Sequence, residues 1–249
     1  MINTEIIEAY VKRKDFSEHW LFYNLVEGEY LFEYPTLDRE KLLSFYELFV
    51  KELEKFEPKE LAFFKKFFRH WKSDIDSDLE VLIAVGCPKP YDAMIREWRG
   101  RSVVIFDINQ LYTEKIEDVI PLFQTLITHE LFHVLYAKYH GQEQEEFKDK
   151  LLQLCFSEGF AYYLGLGDEL LKNLDEVTER HYKQNLDRFL VALEEKDSER
   201  QEEILLECKE NEFFENYCAV TGFLVVCHNK EKINELFKAG PQKFLEYRI

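Results

Sequence analysis

The stretch Pro121 to Ala137, PLFQTLITHELFHVLYA, constrains the fold more than any other part of the chain. Drawn as a helix it is apolar on nearly every side, so it belongs inside a protein, with other elements covering it all round. Yet it carries His129, Glu130 and His133. On a helix the two histidines stand one turn apart on the same face and can aim two imidazole nitrogens at one point. Glu130 lies about 100° further round, within reach of a water on the open side of an ion held there. Buried without partners these groups would cost several kcal/mol, and a divalent cation compensates them directly. A His/Glu cluster paired within itself in a core is the alternative.

The rest of the chain reads as a mainly helical α+β protein with a small mixed sheet. A stripe of Leu37, Leu42, Phe45, Tyr46, Leu48, Phe49, Leu53 and Phe56 predicts a helix. PKELAFFKKFFRHW, with Pro58 near its first turn, predicts another. LEVLIAVG (79–86) and SVVIFDIN (102–109) are β-branched, apolar and bounded by Gly and Pro, as strands are. The intervening CPKPYDAMIREWRG reads as a loop too long for a tight hairpin. After Asn109 the pattern is helical almost to the end. The expected division is a helical region over residues 1–78 followed by a catalytic region over 79–249.

A formal charge of −17 argues against nucleic acid or an anionic membrane as partner, since both repel an acidic surface. No run approaches the roughly 20 apolar residues of a membrane span. Five cysteines, widely spaced and without a CxxC pair, suit free thiols in a reducing compartment. The first residues mix acids and bases where an export signal would be apolar, so the expected location is the cytoplasm.

A catalytic zinc usually has three protein ligands and an open water position. The metzincin positions for a glycine and a third histidine hold Tyr136 and Tyr139 instead, which excludes that arrangement. His140 lies two turns beyond His133, roughly 10 Å along the axis, and would need a helix break to join the same ion. The better candidate is Glu158, in LLQLCFSEGFAYYLG, on a stripe with Leu151, Leu154, Cys155, Ala161 and Tyr162. Gly159 and Ala161 remove bulk beside it and would let two helices pack closely. A buried Glu bonded to a tyrosine, or an exposed one near a kink at Gly159, is the other reading of that position.

Together ITHELFHVLY and SEGFAYYLG resemble the gluzincins, zinc peptidases in which His-Glu-x-x-His is followed on a second helix by a glutamate ligand. SVVIFDIN, YCAVTG (217–222) and AGPQKFLEY (239–247) are similar to further elements of largely uncharacterised predicted zinc proteases in that group. The resemblance covers about residues 79–249. It implies a thermolysin-like core, one Zn²⁺ per chain on His129, His133 and Glu158, Glu130 as general base, and a peptide or protein substrate. It also makes Tyr217 the first choice for stabilising an oxyanion, with Tyr162, Tyr163, His181 and His228 as rivals. The chain departs from the aminopeptidases of that group, since no Gly-x-Met-x-Asn segment precedes the motif and Ala219 stands where their tyrosine would. SVVIFDIN is expected either as the edge strand that takes an extended peptide or as an ordinary core strand. A zinc-stabilised interaction protein without turnover is the rival from another class, against which an intact Glu130 speaks.

Overall fold

The computed structural model describes residues 2–26, 28–141, 144–167, 177–210, 213 and 215–248. The chain divides into two compact units, Met1–Val134 and Leu135–Ile249.

The first unit is built on a four-stranded sheet in the order β1-β2-β4-β3. These strands are β1 (Ile2–Asn3), β2 (Leu79–Ala84), β3 (Ala93–Trp98) and β4 (Arg101–Asp107). β1 and β4 both run parallel to β2, with Ile2 opposite Val81 and Val81 opposite Val104, and β3 runs antiparallel to β4. Val81–Ala84 and Val103–Asp107 are buried on both faces, as an unbroken apolar run requires. The segment read as a loop therefore contains a strand. Trp98 pairs with Arg101, and between them Arg99 and Gly100 have φ of 52° and 74°, which makes a two-residue hairpin turn with both central residues left-handed. The sequence carries Arg where such a turn favours Asn or Asp, so its usual signal is missing. β4 is consequently an interior strand, and the sheet edge beside it belongs to β3.

Helices α1 (Glu5–Val11), α2 (Arg39–Leu53), α3 (Leu61–Phe67) and α4 (Trp71–Asp78) complete the part of this unit before the sheet's long strands. The Asp38 side chain caps α2 by accepting from the N–H groups of Glu40 and Lys41. Leu42, Phe45, Phe49 and Leu53 form its buried face, while Leu48 of the expected stripe is 48% exposed. The helix expected from Pro58 starts later and breaks. Glu60 precedes α3 with φ of 52°, and the helix ends before Phe68. Phe68, just beyond the end of α3, packs edge-on against Phe132, 6.0 Å away between ring centroids.

The helix α5 (Ile120–His140) carries the motif. Its Phe123 packs edge-on against Phe49 of α2 and Phe106 of β4, at 5.6 and 6.5 Å, so sheet and helix share one aromatic core. Each fully buried ring of this kind contributes about 1.5–3 kcal/mol over an exposed one.

The second unit is helical throughout its described residues: α6 (Phe147–Leu166), α7 (Val177–Ala192), α8 (Ser198–Glu210), α9 (Tyr217–His228), α10 (Ile233–Ala239) and α11 (Pro241–Phe244). α6 and α9 cross on glycines. A Cβ added to Gly159 would lie 2.6 Å from the Gly222 carbonyl oxygen, and one on Gly222 would lie 2.9 Å from the Gly159 Cα. The clearance noted at Gly159 thus serves a contact with α9. Phe156, Phe160, Phe237 and Phe244 close the far side of α6, with centroids 4.7–6.3 Å apart. No helix among the described residues is long and apolar enough to cross a membrane.

Candidate metal centre

α5 brings His129, Glu130 and His133 together. The two Nε2 atoms are 3.1 Å apart, and a Glu130 carboxylate oxygen lies 3.7 Å from His129 Nε2. One donor atom from each of the three residues falls within 4.8 Å of the others. The side chains of His129 and Glu130 are only 14% and 10% exposed. The i, i+4 spacing places the rings, and Phe132, 6.1 Å from the His133 ring, walls one side.

The donor set fits a divalent cation. Two nitrogens bound at about 2.0–2.1 Å in a tetrahedral site stand about 3.3–3.4 Å apart, so the observed separation needs little adjustment. The same separation suits a hydrogen bond in which one neutral imidazole donates to the other. An ion on the bisector of the two nitrogens would use both lone pairs at once.

A contact that sequence reasoning missed fixes the helix at the residue before His129. The Lys59 N–H donates to Thr128 Oγ1 at 3.1 Å, and its ammonium donates to Thr125 Oγ1 at 2.8 Å. Thr128 is fully buried. The signal was present as two hydroxyl residues one turn apart in an apolar helix.

A second missed residue is Asp107, at the end of β4 and fully buried. Its Oδ2 accepts from the Cys87 N–H at 2.7 Å, and its Oδ1 from the N–H groups of Asn109 and Gln110. Burial outweighs these bonds and pushes its carboxyl up to about 6. Burial, with the Asp107 charge beside it, likewise raises the Cys87 thiol well above its usual range. Asp107 therefore holds the loop leaving β2 against the end of β4.

The remaining predicted site residues belong to the second unit. Glu158 is half-buried on α6, next to the glycine crossing. Tyr217 opens α9 and is 5% exposed. The Arg188 guanidinium sits 4.7 Å from its ring centroid. Burial, then the Cys208 sulfur, raises its phenol. Tyr163 is buried, Tyr162 packs on Phe213 at 4.4 Å, and the exposed His228 meets Tyr182 edge-on at 5.3 Å. The His181 side chain lies outside the described residues.

No protein-family model, curated protein or solved structure matches the chain.

Proposed function

We propose that the chain is a zinc-dependent hydrolase acting on peptide bonds, with His129 and His133 as metal ligands, Glu158 as the third and Glu130 as general base. The observation that carries this reading is the convergence of the two Nε2 atoms at 3.1 Å beside a carboxylate, on a helix that is otherwise apolar. A small mixed sheet followed by a His-Glu-x-x-His helix is the order found in a thermolysin-like core, which extends the reading to the fold. A zinc ion here would supply positive charge that lowers the pKa of a coordinated water towards ~7 and polarises a carbonyl.

The chain's own residues supply the rest. Glu130 is adjacent to a ligand yet turned about 100° from it on the helix, so its carboxylate can take a proton from the attacking water and return it to the leaving amine. Its low exposure strengthens each interaction it makes. Lys59 and Thr128 hold the helix so that His129 keeps its direction. Tyr217 is the proposed donor to the oxyanion.

The test is digestion of a broad peptide library by the wild type, by Glu130→Gln at matched metal content and by a chelated sample, read by mass spectrometry. The Gln variant should keep the fold and the metal and lose activity by roughly 10²- to 10⁴-fold. Equal cleavage by wild type and variant would overturn the assignment of Glu130. No cleavage by the wild type would overturn the peptidase reading.

A further inference from the structure

The first unit leaves a cleft of about 430 Å³ among its elements. Its walls include Ile2 of β1, Val81 of β2, Leu53 at the end of α2, Trp71 and Ile75 of α4, and Ile127 of α5. Leu53, Trp71, Val81 and Ile127 are at most 6% exposed, so the opening reaches into the core. Protein interiors rarely leave voids larger than a water molecule, and an apolar space of this size offers an occupant contacts that the chain does not make for itself. Two ionisable side chains line it, the exposed Glu54 and Lys72. The Lys72 ammonium lies 5.4 Å from the Trp71 ring centroid, which sets a positive charge beside the aromatic wall.

We propose that this cleft binds a free amino acid with a large apolar side chain, its carboxylate on Lys72, its ammonium on Glu54 and its side chain against Trp71, Val81 and Ile127. Three features select that class. The volume falls in the range of small-molecule sites, roughly 300–1,000 Å³. The wall is aliphatic and aromatic, so it accepts an apolar group and penalises a polar one left there without a partner. The charged residues bring one ammonium and one carboxylate, the complement of the two groups that an amino acid carries on one carbon. A fatty acid or an alkylamine would meet one matching charge and one opposing charge in the same place.

The apolar contacts supply most of the affinity, because exposed ion pairs are screened by water and salt. The charges supply orientation and select against singly charged ligands. The site is distinct from the candidate metal centre, since His129, Glu130 and His133 are not among its lining residues. Ile127 nevertheless stands on α5 two residues ahead of His129, so the occupant packs on the motif helix itself.

The test titrates the full chain with L-phenylalanine, read by calorimetry and by tryptophan fluorescence excited where phenylalanine does not absorb. Saturable binding is expected, with a dissociation constant of roughly 1 mM or tighter. The emission change should vanish in Trp71→Phe, because Trp20 and Trp98 stack on each other at 4.5 Å and do not line the cleft. Lys72→Ala and Glu54→Ala alter exposed groups and should each weaken binding about 2- to 5-fold. Phenylalaninamide, which lacks the carboxylate, and N-acetylphenylalanine, which lacks the ammonium, should lose a similar factor, and serine should not saturate the site. No saturation by phenylalanine up to about 10 mM would overturn the proposal. So would equal binding by both blocked analogues or by serine, or an emission change that survives Trp71→Phe. The analogue series decides even if a variant fails to fold, and no arm depends on bound metal or on peptidase activity.

Discussion

The main-chain N–H of Lys59 reaches the hydroxyl of Thr128 at 3.1 Å, joining the segment before the sheet to the motif helix one residue ahead of His129. Thr128→Val keeps the shape and removes the acceptor, stranding a part-buried N–H. Stability should fall by about 1–3 kcal/mol, whereas Thr128→Ser should stay close to wild type. Denaturant unfolding at matched metal content measures the difference, and equal stability of Val and Ser variants would show that this bond contributes nothing.

Zinc should bind at about one ion per chain, and His129→Ala or His133→Ala should release it. Glu158→Ala should weaken binding strongly while leaving the fold intact. Metal analysis after dialysis against a mild chelator reads all three. Full occupancy in the Glu158 variant would remove that residue from the ligand set.

Asp107 should make stability fall as pH rises through a defined window. Its carboxyl moves from 3.8 to about 6 on folding, so the native state holds the proton more tightly than the unfolded state does. The stabilising effect is complete below pH ~4 and is lost as pH rises to about 6, by roughly 3 kcal/mol in all. Against Asp107→Asn, which does not titrate, the wild type should lose relative stability across that interval. A difference between the two that stays flat from pH 4 to 6 would contradict the assignment.

Gly222→Ala should destabilise, although the same change inside an ordinary helix stabilises by about 1 kcal/mol. The added methyl would meet the backbone of Cys155 and Gly159, which no rotamer change relieves. A loss of about 1–3 kcal/mol or more is expected, read as a drop in thermal midpoint. A midpoint equal to or above that of the wild type would mean that α6 and α9 separate without cost.

Sequence periodicity revealed the motif helix, because residues one turn apart must share a face whatever surrounds them. It revealed β2 and β4 for a similar reason, since long β-branched runs buried on both sides have few other conformations. β3 stayed hidden because AMIREW mixes polar and apolar residues, as an edge strand does, and because its turn is made by Arg99 and Gly100. The break before Phe68 was equally illegible, since no Pro or Gly marks it. Tyr217 was named by resemblance, but its partner Arg188 comes from a helix whose approach no local pattern records.

The pairing of Ile2 and Asn3 with Val81 and Leu82 also has a temporal side. The ribosome releases the first pair long before the second, so β1 must wait through the synthesis of α1 to α4 with its hydrogen-bonding edge unmatched. The β3–β4 hairpin, by contrast, can close as soon as its own turn emerges. The strands of β1 and β2 thus become available far apart in time, and those of the hairpin close together. Any factor that delays the nascent chain between Asp78 and Ala84 would prolong the exposure of that waiting edge.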